Sequence, residues 1–129
     1  MSTNVKLSRD GSFLIGRYSR DIDRDVALDI GEKYVTMMRE TGVKLILDDL
    51  RGCKSLLGTM GSYKLVYQDV IDLGFPKDIK FAMLVDDGDN SHDFLEVAGE
   101  AAGFNIMLFY SYNNAIDWLL HQSETQKVG

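Results

Sequence analysis

Apolar positions recur along the chain in two rhythms, and the switches between them mark out its elements. Val5 and Leu7, then Phe13, Ile15 and Tyr18, fall in two short runs split by Arg9-Asp10-Gly11. Gly11 can take the positive φ of a tight turn, so the pattern predicts an opening β-hairpin. Ala27, Ile30, Gly31, Tyr34 and Met38 follow at three-to-four spacing, between a capping acid at Asp21 or Asp23 and the stop Thr41-Gly42. That is the signature of an amphipathic helix. Lys44 to Leu50 (KLILDDL) is a short apolar run ending in two acids, as expected of a central strand buried on both faces that emerges into a loop over Arg51 to Ser55.

The helical rhythm returns from Gly58 to Asp72, through Met60, Tyr63, Val66, Tyr67, Val70 and Leu73, and Gly74 with Pro76 ends it. Lys80 to Val85 (KFAMLV) reads as a strand, Asp86 to Ser91 as a polar turn, and Phe94, Val97, Ala98, Ala101 and Ala102 as a small-faced helix closed by Gly103. Asn105 to Phe109 (NIMLF) supplies another strand, and Ser111 can cap a last helix carrying Ala115, Ile116, Leu119 and Leu120. Residues 123–129 read as a flexible tail behind a single domain over 1–122. The order ββαβαβαβα predicts an α/β fold with parallel pairing and right-handed crossovers among the later strands. In such sheets ligands sit beyond the carboxyl ends of the strands, which points to the loops at Asp48 to Leu57 and Asp86 to His92.

Composition narrows the classes of function. With 129 residues and 45% hydrophobic content the chain can bury one core without a disulfide or structural metal. Fourteen Lys and Arg stand against 20 Asp and Glu, a net charge of −6 that disfavours phosphate backbones, so no nucleic acid is expected as a partner. No run approaches the roughly 18 apolar residues of a membrane span, and Met1 to Arg9 lacks the apolar stretch of a secretion signal. Cys53 is the lone cysteine. A soluble protein of the reducing cytoplasm is the expectation.

A strand running into Asp48, Leu50, Arg51 and Gly52 (LILDDLRG), the strand KFAMLV and the ending GFNIMLFYSYNNAIDWLL together resemble the SpoIIAA-like branch of the STAS superfamily. The resemblance covers nearly the whole chain. It implies a mixed sheet with an N-terminal hairpin and four helices packed mainly on one side. It also implies a non-enzymatic regulatory module that contacts a protein partner, or a second copy of itself as a homodimer, through the loop and helix after the central strand. In this chain that surface would comprise Arg51, Ser55, Leu57, Thr59, Met60, Tyr63 and Tyr67. Antagonists of anti-sigma factors in this superfamily are switched by phosphorylation within an Asp-Ser-Ser-Gly type motif, where this chain has KSLLGTMGS. Ser55 and Thr59 are the nearest hydroxyls and hence the candidate phosphorylation positions.

Several residue sets could carry chemistry. Asp48, Asp49, Asp86, Asp87 and Asp89 are hard oxygen ligands expected near two strand ends, with Asp48 and Asp86 the candidates for holding Mg²⁺ or Ca²⁺. The plainer reading is that these acids cap helices and solvate loop ends, so no metal is expected. A phosphoacceptor receiver would need a Lys after the last strand, where Phe109-Tyr110-Ser111 stands. Gly58 to Lys64 (GTMGSYK) lacks the spacing of either glycine-rich nucleotide motif, so no cofactor is expected. Cys53 and His92 share a predicted sheet edge, but nothing supplies the third group that would orient a thiolate–imidazole pair. Met60, Tyr63 and Tyr67, with Met37 and Met38, make either core or the lining of an apolar pocket or dimer seam. The second reading of function is therefore a carrier that holds a small apolar ligand, or a lipid, between the helices and the sheet.

Overall fold

The computed structural model describes residues 3–128, with side chains described for 3–121. The hairpin pairs β1 (Thr3–Leu7) antiparallel with β2 (Leu14–Tyr18), so that Leu7 faces Leu14 and Val5 faces Gly16. Its connection is stitched by the Asp10 carboxylate, which accepts from the Ser8 and Ser12 hydroxyls. Helix α1 (Arg24–Thr41) begins at Asp23, whose carboxylate accepts from the Val26 backbone NH at 2.9 Å, and stops at Gly42. Asp21, the other candidate cap, accepts instead from the backbone NH of Lys54.

Strand β3 (Leu45–Asp49) leads into a helix that the periodicity presents as one piece. It is continuous but not uniform. An α-helical start, α2 (Gly58–Lys64), widens into a π-helical turn over Leu65–Asp69 and returns to α-helix as α3 (Val70–Leu73). The turn holds Leu65, Val66 and Asp69 inward, and Asp69 receives a two-pronged ion pair from Arg24 of α1 at 2.9 and 3.0 Å. Then come β4 (Lys80–Leu84), α4 (Asp93–Ala101), β5 (Asn105–Phe109) and α5 (Tyr112–Val128). The flexible tail expected over 123–129 lies outside the residues whose side chains are described.

The five strands lie in the order β1-β2-β3-β4-β5, antiparallel at the first pair and parallel at the other three. Strands added one after another in a single direction, through crossovers of one hand, deposit their connecting helices on one face. Accordingly Leu14 and Ile46 pack with Ile30, Tyr34 and Met38 of α1, Val66 of the π turn and Ala98 of α4. Helix α5, which follows β5, takes the opposite face, where Ala115, Trp118 and Leu119 cover Ile15, Leu47, Ala82 and Leu84. The alternation of β3 thereby acquires meaning: Ile46 and Asp48 look toward three helices, Leu47 and Asp49 toward the face of α5. Among the described residues no helix is long and apolar enough to cross a membrane.

Candidate functional site

The parallel register places Gly16 of β2 beside Asp48 of β3. Because Gly16 has no side chain, the buried Tyr34 of α1 can lay its phenol across the strand; a Cβ at position 16 would stand 1.8 Å from the Tyr34 Oη. That hydroxyl donates to Asp48 Oδ1 at 2.6 Å, and the hydroxyl of Tyr18 donates to the same oxygen at 2.8 Å. Asp48 is only 2% exposed. Burial pushes its carboxyl up to about 7; the two tyrosine hydrogen bonds pull the other way, and the neighbouring charge of Asp49 adds to the rise. Burial likewise carries both tyrosine hydroxyls well above their ordinary range, with the Asp48 charge contributing.

These three side chains form one wall of a cavity of about 100 Å³ between the sheet and the layer made by α1, the α2–α3 helix and α4. The rest of its lining is mainly apolar, including Ile30, Val66, Phe81, Phe104 and Ile106. Tyr34 meets Phe81 edge-on, with ring centroids 6.0 Å apart. Ser55, Leu57 and His92 close the end nearest the strand termini. There the loop after β3 is fixed from several sides. His92 donates from Nε2 to the Cys53 carbonyl at 2.9 Å, the Ser55 NH donates to Ser91 Oγ at 2.9 Å, and the Leu56 NH donates to the Ile22 carbonyl at 2.8 Å.

On the other face Asp49 accepts from Arg51 through two nitrogens, each at 2.9 Å, and from Arg17 at 3.3 Å. Burial raises its carboxyl, but the hydrogen bonds from Arg51 and Arg17 outweigh that, and its pKa is lowered overall. The acids foreseen as a cluster are thus dispersed: Asp48 and Asp49 point to opposite faces, Asp86 accepts from the Gly52 NH at 2.6 Å, and Asp89 accepts from the hydroxyl and NH of Ser91. Among the described residues no group of three or more His, Cys, Asp or Glu side chains is placed to hold a metal ion. Cys53 and His92 do meet, but through the Cys53 carbonyl; the thiol itself points at the Tyr18 carbonyl, 3.8 Å away, and burial raises its pKa.

The surface residues singled out from the sequence divide into two groups. Met60 is 84% exposed, Thr59 is exposed, and Tyr67 is half exposed with Tyr63 stacked beneath it, the rings 5.9 Å apart and nearly parallel. Leu57 and Ser55 turn inward to the cavity, and Arg51 is drawn across to Asp49. Tyr18, Tyr34 and Gly16 were not legible as site residues. The available signal was Gly16 in the middle of strand β2, and a glycine inside a strand marks the close approach of another group. Compared with protein-family models, with curated proteins and with solved structures, this chain finds a match in none of the three.

Proposed function

We propose that this chain is a non-enzymatic, STAS-like binding module that holds a small, largely apolar ligand between its three-helix layer and its sheet. One observation carries the reading: an apolar cavity whose wall contains a buried carboxylate with a strongly raised pKa, the combination that marks ligand sites. The ββαβαβαβα order and mixed sheet agree with the scaffold that the sequence resembles. At about 100 Å³ the cavity suits a ligand of a few heavy atoms better than a full acyl chain. Among the described residues that line the cavity with Asp48, no nucleophile, base and oxyanion-donor set is assembled, which favours binding over turnover.

A second reading, contact with a protein partner or a second copy, draws on the outer side of the same helices. Leu56, Met60, Tyr67 and Ile71, with Phe94 and Val97 of α4, are large apolar side chains left exposed. Native mass spectrometry of protein purified without denaturation separates the two. The cavity reading expects a small adduct on the wild type that is absent from Ala27→Leu, a substitution that fills the cavity from α1. A doubled mass without adduct, abolished by Met60→Asp, would transfer the function to the outer face. An adduct retained by a folded Ala27→Leu variant would overturn the cavity reading.

A further inference from the structure

Asp48 is compensated on one oxygen only. Among the described residues, both side-chain hydrogen bonds to it end on Oδ1. No hydrogen bond from a described side chain reaches Oδ2, and Asp48 lines the cavity. Among the described residues no lysine or arginine is paired with Asp48. No lysine or arginine is among the residues that line the cavity, and Arg17 and Arg51 are committed to Asp49 across the sheet. The histidine at the cavity end, His92, has its Nε2 turned to the Cys53 carbonyl. A buried carboxylate without a cation is costly, and a positively charged occupant would relieve that cost.

The walls favour the same occupant. Tyr18, Tyr34, Phe75, Phe81 and Phe104 present aromatic rings to the cavity, and ring faces attract ammonium groups. The outer environment of Phe104 already shows this affinity, with Lys77 Nζ 4.4 Å from its ring centroid. We propose that the ligand of this cavity is a small primary amine whose ammonium group binds Asp48 Oδ2, with Tyr18 and Tyr34 holding Oδ1 and the apolar body of the amine lying among the aromatic rings. This rests on the reading of the cavity as a ligand site.

The test uses n-butylammonium, 1-butanol and butyrate as probes, titrated by NMR into the full chain and into Asp48→Asn. At about pH 8 both Asp48 and the ammonium are charged. The expected result is that butylammonium binds at least about tenfold more tightly than butanol, that butyrate does not bind, and that Asp48→Asn removes the preference while still binding butanol. Retained butanol binding shows that the variant is folded and its cavity intact. Equal affinity for amine and alcohol in the wild type, or amine affinity unchanged in Asp48→Asn, would overturn the amine inference and leave the cavity reading standing. Failure of all three probes, with no adduct in native mass spectra, would bring down both.

Discussion

Asp48 and Asp49 are consecutive in one strand and differ in almost everything that decides the behaviour of a carboxylate. Asp48 turns toward three helices, meets two neutral hydroxyls and no cation, and has its pKa raised to about 7. Asp49 turns toward the more open face, meets two guanidinium groups, and has its pKa lowered. Both are nearly out of solvent, at 2% and 8% exposure, so burial alone does not separate them. What separates them is whether the chain supplies a compensating charge. It does so where the neighbouring arginines can stay half in water, and leaves it undone where a cation would have to be buried within the helix layer.

The largest consequence is a dependence of stability on pH that comes from Asp48. Its folded-state pKa of about 7 exceeds the ordinary value of 3.8, so between about pH 4 and pH 7 the folded protein binds more proton than the unfolded chain. Stability therefore falls as pH rises through that window, by on the order of 4 kcal/mol as an upper bound. Urea unfolding at pH 5 and pH 8 should show the wild type losing stability relative to Asp48→Asn as pH increases. A constant difference between the two proteins across the window would mean that the carboxylate is not held as described.

A somewhat smaller effect is expected from closing the passage that lets Tyr34 reach Asp48. In Gly16→Ala the new methyl would lie 1.8 Å from the phenol oxygen and 2.9 Å from Ile30 Cδ1. The strand cannot retreat, being paired on one side with β1 and on the other with β3. Displacing the ring and breaking its buried hydrogen bond should cost about 3 kcal/mol, read from the urea midpoint. Loss of the Tyr34 hydrogen bond should also raise the Asp48 pKa further, moving the pH response upward. Unchanged stability with an unchanged pH response would show that Tyr34 does not need the glycine.

How much of this was readable in the sequence follows from how local each feature is. The hairpin turn and the stop at Gly42 depend on neighbours within a few residues, and periodicity with turn chemistry found them, while it narrowed the cap to Asp21 or Asp23. The strand-helix alternation likewise fixed a mixed α/β sheet. The π turn was invisible because its inward Asp69 answers to Arg24, 45 residues earlier, and the apolar spacing reads the same with or without it. Tyr34 was recognised as a helix position facing the core, but the destination of its hydroxyl depended on Gly16 of β2 and on the register that sets it beside Asp48 of β3. Asp48 and Asp49 were grouped at one strand end, although alternation along β3 sends them to opposite faces; which of them would lack a cation required knowing that three helices share one face and α5 lies alone on the other.

The smallest expected effect completes the contrast. Asp49→Asn keeps an oxygen that can accept from Arg51 and Arg17 while removing the charge that makes those bonds ionic. Both arginine side chains are about half exposed, at 46% and 49%, so solvent screens much of the loss and about 1 kcal/mol of stability should disappear at neutral pH. The sign with pH is opposite to that of Asp48. Because the Asp49 pKa is lowered on folding, its contribution is present above the ordinary carboxylate range and is lost as pH falls through the folded value, where the wild-type side chain is protonated as well. Wild type and Asp49→Asn should therefore converge in acid and separate toward neutrality, whereas wild type and Asp48→Asn should change their difference between pH 4 and pH 7. Parallel curves for the two variants would show that the arginines do not distinguish these neighbouring acids.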